Sequence, residues 1–236
     1  MDSSTHPNRC SLEAARDARK KGEYSEALRH YAYFFEHALD GDPASLYGVR
    51  LSYCIDEWAR LGKVYPPALE ALNERRKEAL RRFEATQEPE DFHDFEVISK
   101  YLDVHDEAID SFMAYHATDR RLAALAVRFV WSKLVARGAW DICGCYIGDP
   151  NERYRGALLK FDQAMKVSRE NPDFGGADLE KQTKGWYVRD VSELLLVLIN
   201  TGQAHAGAKF RTQAESDMLR RGYAEVVSEI ASQVAL

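Results

Sequence analysis

The apolar residues of this chain recur at three- and four-residue spacing, and the stretches that carry them are broken by only 14 glycines and 7 prolines in 236 residues. That period marks one face of an α-helix, whereas a half-buried strand would alternate at every second residue. The predicted fold class is all-α. Several prolines fall where helices should begin, because a proline at the first helical position loses no needed hydrogen bond and already has the right φ. "GDPASLYG" offers Asp42 as cap with Pro43 behind it, and "GDPNERYRG" repeats the arrangement with Asp149 and Pro150. "VYPPALEAL" starts a helix at Pro66 or Pro67, and "EPEDFHDF" starts another near Pro89. Helices are expected near 9–21, 24–39, 44–61, 66–86, 90–102, 105–117, 119–137, 139–147, 150–169, 180–201, 203–214 and 216–234.

Connections this short make consecutive helices antiparallel neighbours, as in bundles and α-solenoids. Internal repetition separates the two. In "ARDARKKGEYSEALRHYAYFF" a small-residue helix is followed by Gly22, Tyr24, Ala27, Tyr31 and Phe34. Gly22 can end one helix in a left-handed conformation, and Ala27 lets two helices approach closely. This order of glycine, aromatic, alanine and aromatic resembles the tetratricopeptide repeat, with the best match over residues 11–38. Looser copies carry Trp58, Gly62 and Ala68; Ala108, Phe112 and Tyr115; Gly138, Trp140 and Cys143; and Gly202, Gly207 and Ala214. The resemblance implies antiparallel helical hairpins stacked as a tetratricopeptide-like α-solenoid with irregular spacing. Residues 1–8 are expected to be a flexible N-terminus and 9–236 a single helical domain of this kind, with a loop near 168–185.

The chain is 45% hydrophobic and 30% charged, the balance of a globular protein. A net charge of −6 disfavours attraction to a nucleic-acid backbone. Cys10, Cys54, Cys143 and Cys145 are too few and too unevenly placed for a disulfide framework, so a reducing cytoplasm is expected. "MDSSTHPNRC" lacks the basic start and apolar run of a secretory signal. The longest apolar run, Leu194 to Ile199, falls far short of the roughly 20 residues of a membrane span.

No glycine-rich phosphate loop, Gly-x-Ser-x-Gly elbow or His-Glu-x-x-His motif occurs, so no cofactor and no catalytic group is assigned. Cys143 and Cys145 in "CGCY" have the thiolates for a soft metal, but no second pair at fitting spacing completes a site, and packing cysteines are the plainer reading. His93, His105 and His116 lie beside carboxylates, yet a solvated or capping role is as natural as acid–base chemistry. Trp58, Trp131, Trp140 and Trp186 are read as packing residues.

Arg9, Arg16, Arg19 and Lys20 recur along one face of the first helix. In tetratricopeptide proteins the first helix of each hairpin lines a concave groove. The resemblance therefore directs Arg16, Arg19, Lys20, Ser52, Asp56, Arg60, His93, Lys100, Arg128 and Arg189 to a partner-binding surface. The family's carboxylate clamp uses a lysine and an asparagine where this chain has Leu12 and Arg16, so that clamp is not carried over. Arginines in a groove suit carboxylates through paired hydrogen bonds, which points to an acidic peptide or protein. The expected function is a non-catalytic protein-interaction scaffold, with no nucleic-acid or membrane partner and a homodimer as a further expectation through an uncapped terminal helix. Two alternatives stand beside it: a toxin-neutralising immunity-type protein, and an enzyme using His93, His105 or the Cys143 and Cys145 pair.

Overall fold

Prolines at the first or second helical position open α5 (Pro66–Thr86) and α6 (Pro89–Tyr101), where the sequence placed them. The computed structural model describes residues 7–40, 43–104, 106–170 and 175–234. Residues 1–6, His105 and the Asp42 cap lie outside that range. The remaining elements are α1 (Pro7–Lys21), α2 (Tyr24–His37), α3 (Pro43–Val49), a π-helical segment (Arg50–Cys54), α4 (Ile55–Gly62), α7 (Asp106–Thr118), α8 (Arg120–Ala136), α9 (Trp140–Tyr146), α10 (Pro150–Glu170), α11 (Gly176–Asn200), α12 (Ala204–Arg221) and α13 (Ala224–Gln233). No strand occurs among the described residues, and the fold class is all-α. The helices sort into two units, residues 1–130 and 131–236, with the division falling inside α8.

In the first unit α1 packs on α2, α4 on α5, and α5 on α6. Gly22 takes φ +79° at the α1–α2 turn, a left-handed conformation that side chains with a Cβ resist. Ala15, Ala27 and Tyr31 are fully buried between these helices. The π-helical segment has a reason in the sequence. Leu46, Arg50, Cys54, Trp58 and Gly62 are all buried, at a strict spacing of four residues. An ordinary helix has 3.6 residues per turn and would rotate such a stripe steadily away from the core. One wider turn, with i→i+5 bonds, brings it back. At the stripe's end the Trp58 indole Nε1 donates to the Ala68 carbonyl at 2.8 Å.

Gly62 has a different role from Gly22. A Cβ built there would lie 3.0 Å from Leu69 Cβ and 3.1 Å from Leu69 Cα, so the missing side chain is what allows α4 and α5 to meet. Gly62→Ala is expected to cost about 1–2 kcal/mol from overpacking, measured as a shift in the urea midpoint. A midpoint equal to wild type would show that α5 moves aside freely.

In the second unit α10 packs on α11, α11 on α12, and α13 on both α11 and α12. Its interior holds Tyr154, Phe161, Tyr187, Leu195, Phe210 and Met218. Arg153 secures the turn before α10. Its guanidinium sits 3.8 Å over the Trp131 ring and donates to the carbonyls of Ile147 (2.6 Å) and Tyr146 (3.2 Å).

Two expected boundaries differ. The break placed near residue 215 is absent; α12 runs on to Arg221 and ends at Gly222, whose φ is +84°. Ala214 thus lies mid-helix, buried. The segment read as a loop near 168–185 is mostly helical, with α10 reaching Glu170 and α11 starting at Gly176. Thr183 and Tyr187 are buried along α11, and that inward stripe outweighs the helix-weakening glycines at 176 and 185.

Candidate binding surfaces

The basic face of α1 is tied into the first unit. Arg16 donates from Nε and Nη2 to the Glu57 carboxylate on α4 at 2.8–3.1 Å, and Tyr31 Oη donates to the same carboxylate at 3.2 Å. Burial, followed by the Glu57 charge, pushes the Tyr31 hydroxyl up to about 12. Arg19 also reaches the Tyr31 hydroxyl. Lys20 pairs with Asp17, and Arg60 with Asp56, each within its own helix. The Ser52 hydroxyl donates to the Gly48 carbonyl inside the π-helical region. Lys100 is exposed on α6.

His93 and Arg128, also expected at the partner surface, are brought together. The Phe129 ring stacks on the His93 imidazole at 4.6 Å, 18° from parallel, and the Arg128 guanidinium lies 4.5 Å over the same phenyl ring. Arg128 pairs with Glu90 at 2.8 Å. Tyr47 Oη and His93 Nδ1 are hydrogen-bonded at 2.7 Å. Burial lowers the His93 pKa from its ordinary 6.5, against the raising influence of Glu96, Asp94 and Glu90. Above pH 6.5 the ring is neutral both folded and unfolded. As pH falls below that value the unfolded chain takes the proton first, so folded stability declines until the native ring also titrates. The urea midpoint of wild type is expected to fall more between pH 7 and pH 5 than that of His93→Asn. Equal slopes would contradict it.

Sequence reasoning missed a buried ion pair. Arg50, in the π-helical segment, donates from both terminal nitrogens to Asp94 on α6 at 2.6 and 2.5 Å, and from Nε to the Phe35 carbonyl at 2.7 Å. Its guanidinium also lies 3.8 Å over the Phe35 ring. The one available signal was a charged residue inside the four-residue stripe.

In the second unit, Arg189 stands beside a small groove between α10 and α11. Lys160, Trp186 and Asp190 share its rim, and Ala157, Phe161 and Tyr187 form its base; its volume is about 200 Å³. Trp186 is 45% exposed, contrary to its reading as a packing residue. The inward stripe of α11 runs through Thr183, Tyr187, Val188 and Val191, and position 186 falls outside it. Trp58 and Trp131 are buried as expected. A wider cleft on the other side of Phe161, about 370 Å³, is edged by Arg169 and Arg221, which are held by Tyr223 Oη at 2.7 Å and by Asp162 at 2.8 and 2.9 Å.

Two arrangements resemble chemistry and do not provide it. Ser11 Oγ, His30 Nδ1 and His30 Nε2 with Glu26 form a string at 3.4 and 3.1 Å. His30 Nε2 lies 3.1 Å from both the Arg29 Nη2 donor and the Glu26 Oε1 acceptor, and Nδ1 lies 3.4 Å from Ser11 Oγ, at the outer limit of a hydrogen bond. The Ser11 hydroxyl instead donates to the His30 carbonyl at 3.2 Å. Cys143 is buried, its thiol pushed up by burial to about 11, while Cys145 is exposed two positions along α9. Residues two apart on a helix do not face each other. Among the described residues no group of three or more His, Cys, Asp or Glu side chains is placed to hold a metal. No family model matches the sequence, and no curated protein or solved structure matches it either.

Proposed function

We propose that this chain is a non-catalytic protein-interaction module whose helical hairpins, of the tetratricopeptide-like kind, bind a peptide or protein partner. The observation that carries the reading is the division of labour on its surface. Arg16, Arg60, Arg128 and Arg189 are each matched to a carboxylate of the chain, while large apolar side chains such as Tyr53, Val64, Leu159, Trp186 and Leu219 stand in solvent. Trp186 and the paired Arg189 share one groove, and an exposed aromatic beside a satisfied charge is the pairing found at interfaces. Four free thiols, two of them buried, fit a reducing compartment such as the cytoplasm.

Affinity capture of the tagged chain from native lysate tests this. A partner retained in fixed stoichiometry is expected, and a second copy of the chain counts as such a partner. A chain that emerges alone and monomeric would overturn the proposal.

One observation favours the toxin-neutralising form of this function. Residues 84–119 contain eleven acidic side chains and a single basic one, Lys100. Asp103 and Asp110 make no ion pair among the described residues, and Met113 is exposed one turn beyond Asp110 on α7. Exposed carboxylates without an ion pair, as at Asp103 and Asp110, suit a basic protein. Asp103→Lys with Asp110→Lys is expected to weaken capture of a basic partner and to reduce its salt dependence; unchanged capture would remove α7 from the interface.

A further inference from the structure

The α10–α11 groove carries its own charge pattern. Asp190 accepts from Arg189 Nε and Nη2 at 3.2 and 2.9 Å, and Lys160 Nζ lies 4.0 Å from its other oxygen. Two cations therefore share one carboxylate at the rim. Both are largely exposed, so neither is held by burial. Phe161 and Tyr187, with ring centroids 5.2 Å apart, close the base, and the Trp186 indole stands beside it.

We propose that this groove receives an acidic side chain of the partner, the carboxylate lying between Lys160 and Arg189 and the adjoining methylenes against Trp186. Lys160 supplies a rotatable ammonium and Arg189 the Nη1 donors that Asp190 does not occupy, and tryptophan offers a large contact area at small entropic cost. A volume of about 200 Å³ is below the range of sites built for whole small molecules, and suits one side chain. A polyanion such as nucleic acid would meet the overall charge of −6, whereas one carboxylate on a peptide would not be strongly opposed. This inference rests on the interaction-module reading and specifies the partner chemistry for one of its surfaces.

The test uses three dye-labelled dodecapeptides that differ only in carrying glutamate, glutamine or lysine at four positions, with a single-stranded oligonucleotide as a fourth probe. Anisotropy is read against the full chain. The glutamate peptide is expected to bind about tenfold or more tighter than the others, and Trp186→Ala or Lys160→Glu with Arg189→Glu to weaken it about tenfold. These positions are exposed, so the thermal midpoints of the variants should stay near wild type and certify folding. Equal binding of the glutamine or lysine peptide, preference for the oligonucleotide, no binding of any probe, or full affinity in both variants would each overturn the inference. If the variants still retain a native partner from lysate, the groove alone is wrong. If wild type captures nothing as well, the interaction-module reading fails with it.

Discussion

Replacing Asp94 with alanine is expected to lower stability by about 3–5 kcal/mol, read from urea unfolding followed by circular dichroism. The expectation rests on what remains behind. Arg50 is buried, and Asp94 accepts from both of its terminal nitrogens. Without that carboxylate the guanidinium keeps the Phe35 carbonyl and ring but has no counter-charge within hydrogen-bond distance among the described residues. Arg50→Met should also be costly, though less so, because Arg82 approaches Asp94 to 3.7 Å and can compensate part of its charge. The double variant Arg50→Met with Asp94→Leu should be closer to wild type than either single change, since it removes the buried charges together. A loss below about 1 kcal/mol for Asp94→Ala would place the pair among weak surface bridges and contradict its reading as a buried, mutually dependent pair.

The second large effect belongs to the other unit. Tyr154 Oη donates to Asp217 at 2.6 Å, and Tyr187 Oη, 3.2 Å away, donates in turn to Tyr154. Asp217 is buried, with Arg220 and Arg221 at its other oxygen. Burial and the Asp217 hydrogen bond push the Tyr154 pKa far up, so this hydroxyl stays a donor and requires an acceptor. Asp217→Ala strands it, at an expected cost of about 2–3 kcal/mol. Asp217→Asn keeps an acceptor oxygen and should cost less. Adding Tyr154→Phe to Asp217→Ala should recover part of the loss, because donor and acceptor then disappear together. Strict additivity of the two changes would argue against a shared network.

How much of this could be read from residues alone varies with the range of the interaction. Helix starts at Pro43, Pro66, Pro89 and Pro150 were legible because proline acts on its own backbone and its immediate neighbours. The Gly22 turn was legible for the same reason. The π-helical segment was legible in principle, since a four-residue stripe through Leu46, Arg50, Cys54 and Trp58 cannot stay inward on a regular helix. Helix ends governed by tertiary burial were not. Gly175, Gly176 and Gly185 looked like a loop, yet Thr183 and Tyr187 pack inward and hold α11 together from residue 176.

The surfaces were harder still. Arg16 was a groove candidate by its helical position, but its partner Glu57 lies 41 residues away, and no local pattern reveals such a pairing. Arg50 and Asp94, 44 residues apart, were missed for that reason. Trp186 was assigned to the interior because tryptophan usually is, although it falls one position off the stripe defined by Tyr187. Arg189 was singled out and does line the α10–α11 groove, but the residues that give it context, Lys160 and Asp190, became visible only once α10 and α11 were laid together.

The most direct test of the central claim, that this chain acts by holding a partner and not by changing one, is native mass spectrometry of the purified chain mixed with the partner it captures. The account predicts a complex whose mass equals that of the two unaltered molecules, with free partner of unchanged mass when the chain is limiting. Accumulation of partner with altered mass, beyond the number of chain molecules present, would contradict it.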